Sequence, residues 1–144
     1  MFNIADIEEL VDMLNTTLWD LDRNYKVFDG KCCFISYVIA RNLEKKNINF
    51  DVIGYAHVKT NEGSIQQFAR EGELAHVTIR ISAGNKKFII GENIIDSKGL
   101  TLYAQKMSAY ELMDMYEKNN WNDGHQDISD KEIESTIDDV FIYV

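Results

Sequence analysis

The first chemistry legible in this chain is that of a thiol. Asp29-Gly30-Lys31-Cys32-Cys33-Phe34-Ile35 opens a stretch that reads as a buried helix running to about Leu43. Asp29 is the expected N-cap, since a carboxylate accepts the unpaired amide hydrogens of a first turn. Cys32 then falls near the third helical position. Cys32, Ile35, Ile39 and Leu43 share one helix face. A thiol placed there sits at the amide-rich, partly positive end of a helix. That position lowers a thiol's pKa, and the same amides can hold an oxyanion. The competing reading is packing, because free cysteines are among the most buried residues.

A thiol nucleophile needs a base, and the base needs a group to orient it. The chain has three histidines. His125 lies in the polar segment Asp123-Gly124-His125-Gln126-Asp127, expected to face solvent, and His57 has no obvious partner. His76 begins an apolar strand, on the face opposite Val77, Ile79 and Ile81. A hairpin centred on Gly84 and Asn85 pairs Ile81 with Phe88 and Ile79 with Ile90, and in that register His76 faces Asn93. A bulge or longer loop brings Glu92 or Asp96 there instead. Asn93 and Asp96 therefore stand level as the orienting group. The packing alternative for His76 is a strand residue with its polar tip toward solvent. A metal site built on His76 with His57 or Cys32 lacks a close-spaced ligand pair.

The elements that must position these groups follow from periodicity. Residues 3–22 form an amphipathic helix with Ile4, Ile7, Leu10, Val11, Leu14 and Leu18 as its stripe, and Asn3 with Asp6 as its start signal. A loop over 23–29 leads to the cysteine helix, which ends near Asn47. Strands are expected over 50–58, 75–82 and 87–95, with a turn at 60–64. Residues 65–71 are ambiguous and fit at most a short helix. Ser108 with Glu111 and Ser129 with Glu132 are capping boxes that open helices near 109–119 and 130–139. A polar loop joins those helices, and 141–144 could close the chain as a short strand. The expected fold is α+β in one domain over 1–144, an antiparallel sheet packed on a central Cys-bearing helix with extra C-terminal helices.

Taken together, these parts resemble the transglutaminase-like branch of the papain-like cysteine superfamily. The matching residues are Gly30-Lys31-Cys32, Leu43, Asn47 through Gly54-Tyr55, Ala75-His76-Val77, and Gly91 through Asp96. They cover a little under half of the chain. Asn47 stands where the pattern has glycine, and asparagine also tolerates left-handed backbone. The Gly-x-Cys spacing selects Cys32 over Cys33. The resemblance implies a papain-like core, Cys32 as nucleophile, His76 as general base and acid, and Asn93 or Asp96 as orienter. The backbone amide of Cys32 would supply part of an oxyanion hole, with Asn24 and Tyr25 in the region of a side-chain donor. The implied reaction is attack on an amide, isopeptide or related acyl bond through an acyl-enzyme, on a protein, peptide or small acyl or amine substrate. Members that have lost catalysis work as binding modules.

Composition narrows the alternatives. The chain has 144 residues, 45% of them hydrophobic, and a net charge of −9. An acidic surface disfavours nucleic acid and anionic membranes as partners. No membrane-length apolar run or signal-peptide pattern is present, which points to the cytoplasm. No nucleotide loop, metal box or cofactor fingerprint appears, so no cofactor and no metal are expected. The second reading is a catalytically inactive acidic interaction or regulatory protein on the same fold, with a basic partner.

Overall fold

The computed structural model describes residues 2–121 and 127–144, so His125 lies outside the described residues. Helix α1 (Ile4–Tyr25) starts where the sequence sets it. Asn3 Oδ1 accepts the Asp6 N–H at 2.9 Å, and the Asn3 N–H donates to Asp6 Oδ2 at 3.2 Å. Ile7, Leu10, Val11, Leu14, Leu18 and Leu21 are buried along its stripe, while Ile4 is left exposed at the end.

The loop expected over 23–29 is mostly helical. α1 continues to Tyr25, and α2 (Phe28–Lys45) follows after Lys26, whose φ of 53° turns the chain. Val27, not Asp29, holds the N-cap position of α2, and it makes no side-chain cap. Instead the helix is broken just inside its start. Asp29 has φ −85° and ψ 86°, and Gly30 has φ 104° and ψ −18°. The regular helix resumes at Lys31. At its far end Ile48 N–H bonds Leu43 O at 3.0 Å and Asn47 N–H bonds Glu44 O at 3.2 Å, with Asn47 at φ 55°. This is a left-handed helix stop in which asparagine takes glycine's usual place.

The sheet has four antiparallel strands in the order β3-β2-β1-β4: β1 (Phe50–Ala56), β2 (Leu74–Ala83), β3 (Lys86–Ile89) and β4 (Thr101–Gln105). A short helix α3 (Ile65–Arg70), capped by Ser64, covers the β1–β2 connection. Helices α4 (Ala109–Lys118) and α5 (Asp130–Phe141) follow, each begun by its serine. α2 packs on β2 and β1 and against α4 and α5. Val77, Ile79 and Ile81 meet Ile35, Ile39 and Leu43 in one buried core. The class is mixed α+β, and among the described residues no helix is long and apolar enough to cross a membrane.

Two expected strands end differently. The hairpin register is the expected one, with Ile81 opposite Phe88 and the Ile90 N–H on Ile79 O at 2.9 Å. Pairing then stops well short of residue 95. The Thr78 hydroxyl donates to Ile90 O at 2.7 Å, and the Gly91 N–H donates to Asn15 Oδ1 of α1 at 2.7 Å. Side chains thus take the backbone groups that a longer ladder would use, and the chain turns at Gly91 (φ 72°). Residues 141–144 form no strand; they finish α5 and a turn. β4 carries no periodic signal because it is an edge strand whose Leu102 and Ala104 face outward.

Replacing Asn15 with Ala leaves the part-buried Gly91 N–H without its acceptor. The expected loss is about 1–3 kcal/mol in denaturant unfolding, with faster hydrogen exchange at Gly91.

Candidate functional site

The break at Asp29-Gly30 creates the site. Gly30 sits in the left-handed region, where a side chain is strained. Turning there places Phe28 across the open end of β2 and leaves Cys32 in the first regular turn. On β2, Tyr55 pairs with His76 but Ala56 pairs with Leu74, so Ala75 is an extra, bulged residue. A bulge bends the strand and re-aims the side chain beside it. The two irregularities meet around a cavity of about 150 Å³. Phe28, Asp29, Gly30 and Cys32 line it from α2, Leu74 to Val77 from β2, and Trp121 from beyond α4. Cys32 and His76 are thereby brought together.

His76 is only 6% exposed, with the Phe28 ring edge-on at 5.3 Å and the Tyr55 ring at 6.0 Å. Phe28 in turn lies where a side chain on Gly91 would go, 2.9 Å from its Cβ position. His76 Nε2 is buried and has no hydrogen-bond partner among the described residues. Burial without a compensating charge pushes the imidazole pKa down to about 4. Cys32 differs from the sequence expectation. Burial raises its thiol pKa, and the backbone groups of Val77, Cys33 and Cys32 itself oppose this without reversing it. The charge of Asp29 adds to the rise. Desolvation outweighs the helix end, so the resting site holds a neutral thiol and a neutral imidazole.

Cys33 points elsewhere. Its thiol donates to Leu112 O of α4 at 3.4 Å, and burial raises its pKa strongly. Asn93 and Asp96 are exposed in the turn after Ile90 and do not line the cavity. The ladder that would have set Asn93 opposite His76 ends too early, and Asp96 Oδ1 accepts the Lys98 N–H within its own turn. Glu92 acts on the Tyr55 hydroxyl, raising its pKa after burial, but not on His76. Asn24 and Tyr25 are exposed at the end of α1, and His57 is exposed past β1; none lines the cavity. Among the described residues no group of three His, Cys, Asp or Glu side chains is placed to hold a metal.

Two supporting residues carry no sequence signal. The Ser36 hydroxyl lies 2.8 Å from Cys32 O and 3.2 Å from Val77 O, tying the cysteine turn to β2. Lys31 is 4% exposed, although it reads as an ordinary surface lysine. Its ammonium donates to Tyr116 Oη at 2.9 Å and pairs with Asp130 Oδ1 at 2.8 Å, and Tyr116 Oη donates to Asp130 Oδ2 at 3.1 Å. Burial works against the charge, but Asp130 and Tyr116 outweigh it and the Lys31 pKa is raised. Tyr116 lies 85 residues further along the chain, beyond any periodic reading.

Two outcomes follow. Lys31→Met leaves Asp130 without its cation and should cost about 2–3 kcal/mol in denaturant unfolding, below a fully buried pair because the Asp130 side chain is 36% exposed. Lys31→Met with Asp130→Leu should recover much of that loss. His76 binds its proton more readily unfolded (6.5) than folded (about 4). Its contribution is therefore intact above pH 6.5 and lost as pH falls toward 4, about 3 kcal/mol in all. The stability of His76→Gln should fall less steeply than that of the parent between those limits, and parallel curves would refute the burial effect.

Comparison with family models, with curated proteins and with solved structures returns no match to this chain.

Proposed function

We propose that the chain is a cysteine-dependent hydrolase or acyltransferase of the transglutaminase-like, papain-like type, acting on an amide, isopeptide or related acyl bond. The observation that carries this reading is that Cys32 and His76, from separate elements, line one cavity. Cys32 Sγ attacks the carbonyl carbon while its proton passes to His76. The backbone amide of Cys32 is the donor this reading assigns to the developing oxyanion. The carbon–nitrogen bond breaks, and the amine leaves with the proton from His76. Water or a second amine then attacks the thioester, returns its proton through His76, and frees the thiol. Because both groups rest neutral, the thiolate forms during attack rather than beforehand. Phe28 and Tyr55 hold the imidazole by packing, the task the sequence gives to Asn93 or Asp96.

A second reading is supported by His76 Nε2, which has no hydrogen-bond partner among the described residues, and by the absence of Asn93 and Asp96 from the cavity lining. In it the chain is a catalytically inactive acidic module with a basic partner, and partner binding survives Cys32→Ala.

The test is p-nitrophenyl acetate turnover with mass-spectrometric mapping of the acyl group. Acylation should fall on Cys32, vanish in Cys32→Ala and persist in Cys33→Ala. The acid limb of kcat/KM should lie near pH 4, because His76 must be neutral to accept the proton. Equal turnover in Cys32→Ala would sink the catalytic reading.

A further inference from the structure

We propose that the groove between α1 and α5 docks an arginine-bearing basic segment of a partner protein. This rests on the second reading above for the sign of the partner's charge, and is independent of catalysis at Cys32. The groove holds about 560 Å³. Asp12 and Met13 line it from α1, Asp139 and Val140 from α5, and Tyr143 from just past α5. Met13 and Tyr143 also line a second hollow of about 210 Å³, to which α1 adds Asp6 and Glu9. Tyr143 is 80% exposed, so its ring is open to a partner. Tyrosine and methionine are both enriched where proteins meet.

Charge says what that partner carries. The charged side chains on these walls are carboxylates. All 15 lysines and arginines of the chain fall among the described residues, and none of them lines either hollow. Glu9, Asp12 and Asp139 are in no ion pair among the described residues. Asp139 stands in the last turn of α5, where the negative end of the helix disfavours a carboxylate. Its neighbour Asp138 is offset there by Arg41 at 2.8 Å, and Asp139 has no such cation. The chain itself shows twice what an aromatic ring with carboxylates holds. Arg23 lies 4.7 Å over the Trp19 ring of α1 and pairs with Asp20 at 3.0 Å. Arg41 lies 5.5 Å from the Tyr37 ring and pairs with Glu134 and Asp138 of α5. The groove offers the same parts, the Tyr143 ring with Asp12 and Asp139, without an arginine of its own. A guanidinium suits them better than an ammonium, because it is planar, weakly hydrated and stacks on rings. Met13 and Val140 supply carbon for the aliphatic stem of the incoming side chain.

The experiment titrates the full chain into fluorescein-labelled nona-arginine and nona-lysine and follows anisotropy at about 0.1 M salt, where distant charges are largely screened. Nona-arginine should bind at least about threefold more tightly than nona-lysine. Asp12→Asn with Asp139→Asn should weaken nona-arginine about fivefold or more. Glu62→Gln with Glu117→Gln makes the same change in net charge on exposed residues outside the groove, and should weaken it less than about twofold. Tyr143→Leu should remove most of the preference for arginine over lysine, and Cys32→Ala should bind nona-arginine as the parent does. Equal weakening by the two double variants overturns the groove while leaving a basic partner on another surface. Equal affinity of the parent for the two peptides overturns the arginine preference and the inference with it. Failure of the parent to bind nona-arginine overturns both the inference and the basic-partner reading, and acylation of Cys32 stands or falls separately.

Discussion

The ammonium of Lys31, held between Tyr116 and Asp130, is the interaction on which the site depends. A lysine is almost never this deeply buried unless it is paired, because removing the charge from water costs several kcal/mol. Here the pairing joins the first regular turn of α2 to the end of α4 and the start of α5. Gly30 makes that burial geometrically available: its φ of 104° breaks the helix one residue earlier and redirects the chain. With Lys31 anchored on the helical side, Cys32 is left on the side of β2. Ser36 then fixes the same turn to the strand through Cys32 O and Val77 O. The position of the thiol is thus set by a buried charge and a hydroxyl, neither of which touches the cavity.

The electrostatics of the cavity follow from its walls rather than from its helix end. A first turn favours a thiolate, yet Cys32 is raised because the carbon around it removes water. The same enclosure lowers His76. Burial moves the two groups in opposite directions along the pH scale, and both shifts favour the uncharged forms. In the catalytic reading proposed above, a neutral pair of this kind withholds reactivity until a carbonyl arrives to receive the electron pair. It also protects the thiol from casual alkylation, which a preformed thiolate does not.

Elsewhere the acidic surface is used for tying elements together. Arg41 of α2 meets Glu134 and Asp138 of α5 at 2.9 and 2.8 Å, and Asp51 of β1 meets Arg80 of β2 and Lys106 at 2.9 and 2.8 Å. Such partly exposed pairs are worth little individually. The first set ties the cysteine helix to α5, and the second ties β1 to β2 and to the end of β4 within the sheet. An acidic face that is partly consumed in this way is a poorer argument for a basic partner than net charge alone.

Much of this was legible in local residue patterns. The Asn3, Ser108 and Ser129 caps, the stripe of α1, the centre of the β2–β3 hairpin and the left-handed Asn47 all follow from contacts within a few residues of one another. Local chemistry decides them, so the sequence by itself determined α1, α2, α4 and α5, the cores of β1 to β3, the α+β class, and Cys32 and His76 as the residues to watch. The tertiary structure decided whether those residues meet, what protonation they rest in and what surrounds them. The β2–β3 ladder stops at Ile90 because Asn15 and Thr78, one of them far off in sequence, capture its backbone groups. β4 exists because β1 has a free edge to pair with, not because its own pattern demands a strand. The thiol is neutral because distant side chains exclude water from it. Burial and long-range hydrogen bonds are properties of the assembled chain, and no spacing of residues along it encodes them directly.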